Sequence, residues 1–124
     1  VERTALAGPL SLIVAAARAH GLVVLDGVFN DIADAEGLGR QCAQGLEFGF
    51  DGKTLIHPSQ VEPANAAFSP TPDEIAWSQA VAAAFDLPEN AVKGVIKVDG
   101  RMVERLHLAQ ARRVLAVAQA IAAA

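Results

Sequence analysis

The chain has 124 residues, with ten Lys and Arg against fourteen Asp and Glu and a net charge of −4. That balance argues against a nucleic-acid binder, which needs a basic face to displace counterions. A single cysteine, Cys42, excludes an internal disulfide and any cysteine-built zinc site, and no apolar run reaches the ~18 residues that a membrane-spanning helix needs.

Hydrophobic residues make up 52% of the chain and aromatics only 5%. A core of Ala, Val and Leu suits helices packed closely on a sheet, and this much apolar surface calls for a partner surface. Cys42 falls in a helical pattern and reads as a small core residue. A reduced cysteine fits a cytoplasmic location. Arg112-Arg113 reads as the solvated face of a helix. Residues 1–3, Val1-Glu2-Arg3, carry neither an initiator Met nor a basic leader. The chain therefore reads as a piece of a longer protein.

In chain order, Gly8-Pro9 opens a helix, with Pro placed at its first position, where no amide donor is needed. Leu10, Ile13, Val14 and Ala17 recur at helical spacing, and Gly21 stops the helix. Leu22-Val23-Val24-Leu25 reads as a strand buried on both faces. It runs into a polar cluster of Asp26, Asn30, Asp31 and Asp34. A second helix is expected from about 34 to 48, capped by Asp34, with Leu38, Cys42 and Leu46 as its inner stripe and Gly49 as its end. Lys53-Thr54-Leu55-Ile56 reads as another strand, ending in His57-Pro58-Ser59-Gln60, and a short helix over about 61–67 follows. Two strands about 30 residues apart with helices between them have the rhythm of a parallel sheet with crossover helices.

Residues 69–124 change character. Thr71-Pro72-Asp73-Glu74 spells a capping box ahead of a helix with Trp77, Val81, Ala84 and Phe85 on one stripe. Asp99-Gly100 is a two-residue hairpin turn between strands over 91–98 and 101–104. A last helix over 106–122 carries Leu108, Ala111, Leu115 and Ala118. The reading is an α/β segment over 1–68 and a helix–hairpin–helix extension over 69–124.

Ligands of parallel β/α folds bind beyond the carboxyl ends of the strands. That rule selects the residues after Leu25 and after Ile56. Asp26 and Asp31 are either turn formers or, with Asp34, hard oxygen ligands for a divalent cation. His57 follows a strand and precedes Pro58, which fixes the local backbone; it is either structural or a ligand contact. Neither a Ser-His-Asp arrangement nor a glycine-rich phosphate loop can be assembled.

The same residues resemble a known family. Asp26-Gly27-Val28-Phe29-Asn30-Asp31 with Glu36-Gly37-Leu38, and Gly49-Phe50-Asp51-Gly52-Lys53 through Ile56-His57-Pro58-Ser59-Gln60-Val61, are similar to segments of the citrate lyase β-subunit-like and malyl-CoA lyase proteins of the HpcH/HpaI aldolase superfamily. Phe68-Ser69-Pro70-Thr71 and Asp99-Gly100-Arg101-Met102-Val103-Glu104 resemble two later segments, in the same order. The resemblance implies the C-terminal portion of a (β/α)8 TIM barrel, with this chain giving its last two strands, and a C-terminal extension that reaches a neighbouring subunit. A whole barrel takes about 250 residues.

The resemblance also implies Mg²⁺-dependent cleavage or formation of a C–C bond in a 3-hydroxyacyl-CoA such as malyl-CoA or citryl-CoA. The alternatives are a malate synthase or acyl-CoA thioesterase relative, and a non-catalytic CoA-binding or assembly fragment. Ile56, His57 and Pro58 are implied to contact the CoA portion. Glu104 stands where the family has a catalytic Asp. Glu is one methylene longer, and a misplacement of ~1 Å can cost about 100-fold in rate. Read without the family, Glu104 is a solvated hairpin end. The Mg²⁺ ligands are expected in an N-terminal portion, and the working form is expected to be a homo-oligomer, a trimer or a hexamer.

Overall fold

The computed structural model describes residues 3–124. They form two compact units, one through Phe68 and the other Ser69–Ala124.

In the first unit a 3₁₀ turn, Thr4–Leu6, leads into helix α1, Ala7–Ala19. Pro9 is the third helical residue rather than the first. It still lies in the first turn, where amides lack an intrahelical acceptor, so its missing N–H costs nothing. Gly21 has φ of +65°. Leu22 N–H donates to the Ala17 carbonyl at 2.9 Å and Gly21 N–H to Arg18 at 3.2 Å, which closes the helix end. Helix α2, Ala35–Phe48, ends the same way. Gly49 sits at φ +93°, with Phe50 N–H on the Gly45 carbonyl at 3.0 Å and Gly49 N–H on Leu46 at 2.9 Å.

Strands β1, Leu25–Asp26, and β2, Gly52–Lys53, run parallel, with Leu25 opposite Gly52 and Asp26 opposite Lys53. Hydrogen bonds from Asp51 N–H to Val24 at 2.8 Å and from Thr54 N–H to Asp26 at 3.0 Å extend the ladder by a residue at each end. Both strands are shorter than the sequence suggests, and Leu55 and Ile56 lie beyond the pairing. Burial on both faces is also corrected. Val24 is buried against Val14 and Phe50, but Leu22, Val23 and Leu25 are 59%, 73% and 54% exposed. Among the described residues, only one face of this pair is covered.

Asp34 caps α2 as expected, its Oδ1 accepting from Gly37 N–H at 2.8 Å. Leu38 and Cys42 are buried, whereas Leu46 is exposed and Gly45 takes the inner position. The reason is close approach. A Cβ on Gly45 would stand 3.1 Å from Asp26 Oδ2 and 3.5 Å from the Phe68 ring. Phe29, Leu38, Cys42 and Ala64 pack together, the last from helix α3, Val61–Phe68.

In the second unit helix α4, Pro72–Asp86, starts in a capping box. Thr71 Oγ1 accepts from Glu74 N–H at 3.2 Å, and the Glu74 carboxylate accepts from Thr71 N–H at 2.8 Å. Strands β3, Val95–Val98, and β4, Arg101–Glu104, pair antiparallel, Val95 opposite Glu104 and Val98 opposite Arg101. Asp99 and Gly100 have φ of +46° and +80°, as a primed two-residue turn requires. Strand β3 begins four residues later than expected because Pro88–Asn90 form a 3₁₀ turn, pinned by Asn90 Nδ2 on the Ala84 carbonyl at 2.8 Å. Helix α5, Arg105–Ala122, follows. Val81, Phe85, Ile96, Val98, Val103, Leu108 and Ala111 make one core.

Candidate functional site

The carboxyl ends of β1 and β2 carry a buried charge cluster. Asp26 is 1% exposed. Its Oδ1 accepts from Arg3 Nη1 at 2.6 Å and from Gly27 N–H at 2.9 Å. Its Oδ2 accepts from Lys53 Nζ at 3.1 Å. Lys53 also donates to the Gly27 carbonyl at 2.5 Å and to the Gln41 side-chain oxygen. Arg3 Nε donates to Gln44 Oε1 at 2.8 Å. Register brings the acid and the lysine together, because opposite residues of a parallel pair project to the same side. Burial pushes the Asp26 carboxyl up, but the Arg3 and Lys53 hydrogen bonds and the Lys53 charge outweigh it, and the group stays below the usual carboxylate range.

This arrangement settles the acidic cluster. Asp26 is neither a turn former nor a free ligand. Asp31 Oδ1 accepts from Ala33 N–H at 3.1 Å, which makes it a turn residue, and Asp34 is the helix cap. The three carboxylates serve three separate local structures. Among the described residues no three His, Cys, Asp or Glu side chains converge to hold a metal. Cys42 lies beside the cluster, and burial pushes its thiol up, which keeps it protonated.

Ile56, His57 and Pro58 lie together beyond β2. Ile56 and His57 are exposed, and His57 precedes the 3₁₀ turn Pro58–Gln60. His57 Nδ1 lies 2.8 Å from Ser59 Oγ and accepts from Ser59 N–H at 3.2 Å. Its Nε2 edge is not used by these contacts. Gln60, only 2% exposed, reaches both strand ends. Its Oε1 accepts from Ile56 N–H at 3.1 Å, and its Nε2 donates to the Phe29 carbonyl at 2.9 Å. Sequence reasoning missed Arg3, Lys53 and Gln60 as site-building residues. For Gln60 the signal was its place in the His57-Pro58-Ser59-Gln60 run.

Glu104 belongs to the other unit. It is half-buried at the end of β4, ahead of α5. Its N–H donates to His107 Nδ1 at 2.9 Å. Alternation along β4 sends Val103 into the core and Met102, which is exposed, to the same side as Glu104. A cleft of about 130 Å³ in this unit is lined by Glu74, Trp77, Ser78 and His107 among others. None of the four expected site residues lines it.

Residues 2–58 match the family HpcH/HpaI aldolase/citrate lyase. Over these residues the chain is similar to that family. It is 53% identical over 122 residues to a (3S)-malyl-CoA thioesterase of Cereibacter sphaeroides, which covers 98% of this chain and 43% of the relative. It is 40% identical over 110 residues to citrate lyase subunit beta of Leuconostoc mesenteroides subsp. cremoris, covering 89% of this chain and 36% of that one. In fold it is similar to the protein CitE from Mycobacterium tuberculosis, solved in complex with magnesium, acetoacetate and coenzyme A. There the TM-score is 0.75 at 33% identity, over 96% of this chain and 43% of the other. The chain thus spans less than half the length of these relatives. No helix among the described residues is long and apolar enough to cross a membrane.

Proposed function

We propose that this chain supplies the C-terminal part of a (β/α)8-barrel enzyme acting on a malyl-CoA-type thioester, and that its reaction is hydrolysis of the thioester. The observation that carries this reading is the 53% identity over nearly the whole chain to a (3S)-malyl-CoA thioesterase. In this reaction water adds to the thioester carbonyl, the C–S bond breaks, and the free acid and the CoA thiol leave. Ile56, His57 and Pro58 form part of the wall for the CoA portion, presented at a strand end. Glu104 is the proton-transferring carboxylate, offered to the site of a neighbouring subunit in a homo-oligomer, a trimer or a hexamer, in the cytoplasm. Mg²⁺ is held by residues outside these 124.

A second reading, C–C bond cleavage of the same thioester, is supported by the relation to citrate lyase subunit beta. It differs in the bond broken: malyl-CoA gives acetyl-CoA and glyoxylate rather than malate and CoA. The test is to incubate the full-length protein with Mg²⁺ and malyl-CoA and to separate the products. Free malate and CoA support hydrolysis, acetyl-CoA and glyoxylate establish the second reading, and unconsumed malyl-CoA overturns both. In the same assay Glu104→Ala is expected to lower turnover by about 10²–10⁴-fold while CoA affinity is kept. His57→Ala is expected to weaken CoA binding measured by calorimetry; unchanged binding would make His57 structural.

A further inference from the structure

The loops that leave β1 and β2 are tied to each other by one buried side chain. Gln60 accepts from the Ile56 amide and donates to the Phe29 carbonyl, and it is 2% exposed. Both polar ends of the amide are therefore used, one on each loop, and buried amides carry a free-energy cost unless both ends are paired. The loop after β1 has a second tie, since Lys53 Nζ donates to the Gly27 carbonyl at 2.5 Å. Two carbonyls two residues apart, Gly27 and Phe29, are thus held from inside. Val28 and Asn30 remain exposed, as does Ile56 on the other loop.

We infer that Gln60 is a positioning residue for the ligand site: it fixes the spacing between the exposed residues of the two strand-end loops and so sets affinity for the CoA portion. The inference rests on the proposed assignment of Ile56, His57 and Pro58 to CoA binding. It extends that site to the loop Gly27–Asn30, which becomes a second wall opposite Ile56. A side chain that holds two loops in register acts on ligand binding through geometry and leaves the bond-breaking step alone.

Two variants separate the two hydrogen bonds of Gln60. Gln60→Met keeps the length and removes both hydrogen bonds. Gln60→Glu keeps the acceptor for Ile56 N–H and removes the donor to Phe29. CoA itself is the calorimetric probe, on the full-length protein, and amide hydrogen exchange is read at Ile56 and at Thr54. Gln60→Met is expected to weaken CoA binding and raise KM about tenfold, with kcat within twofold. Ile56 should exchange faster while Thr54, bonded to Asp26, does not. Gln60→Glu is expected to keep Ile56 protected and to recover part of the affinity. Unchanged CoA affinity in Gln60→Met, or a fall in kcat with KM unchanged, overturns the inference. If the unaltered protein binds no CoA, the proposed function fails, and the exchange data decide the tie alone: equal exchange at Ile56 in the variant and the parent removes it.

Discussion

Asp26 is taken out of water at the end of β1, and the cost of that burial is offset only because two cations meet it, Arg3 and Lys53. Removing its charge would leave Lys53, whose side chain is fully buried, without its counter-ion. Asp26→Asn is therefore expected to destabilise the first unit by about 3–5 kcal/mol, read as a lower midpoint in urea unfolding. Acid should act in the same direction. The folded carboxyl lies below its unfolded value, so the unfolded state binds the proton first. The stabilisation is complete above the unfolded value, near pH 4, and is lost as pH falls toward the folded one. Asp26→Asn should flatten that part of the stability curve; an unchanged acid limb would sink the argument. None of this was legible in the sequence. The partners lie 23 and 27 residues away along the chain, so Asp26 showed only the turn and ligand chemistry that any Asp carries.

Helix ends were legible at the scale of elements because their signals are local. Asp34, Thr71-Pro72 and the glycines at 21 and 49 sit within a turn of the backbone groups they satisfy. The inner face of α2 was less legible. Leu46 and Gly45 are adjacent, and the nearness of Asp26 and the Phe68 ring decides which of them faces in. Strand burial was misread for a similar reason: the apolar run at 22–25 shows that these residues suit a covered sheet, but coverage is a property of what packs on it. Gly37, in the first turn of α2, gives a test in which local propensity and packing oppose each other. Gly→Ala inside a helix normally stabilises by up to about 1 kcal/mol. Here the new Cβ would lie 2.1 Å from Asp34 Oδ2 and 2.8 Å from the Phe29 ring. The cap carboxylate would have to leave its place and a core ring would have to shift. Gly37→Ala is thus expected to lower Tm, and a raised Tm would show that the first turn adapts freely.

Across the whole molecule, each unit has its own core and its own way of joining strands. In the first, β1 and β2 lie 27 residues apart, and Arg3 reaches Gln44 across 41 residues. In the second, β3 and β4 are separated only by Asp99 and Gly100. The residues proposed to carry the chemistry are divided in the same way, with Ile56, His57 and Pro58 in one unit and Glu104 in the other. The pairing pattern also sets an order in time. Closing a long loop is penalised before any long-range contact can stabilise it, so distant pairings form slowly and a hairpin forms in microseconds. The second unit should refold ahead of the first. The chain carries one tryptophan, Trp77, packed against the core of the second unit with the Arg101 guanidinium 5.1 Å from its ring centre. Its fluorescence should recover in the early phase of a stopped-flow experiment, while protection of the Thr54 amide, which needs β1 and β2 together, should lag behind it. The parallel pair beside the proposed ligand site is then expected to become native after the hairpin.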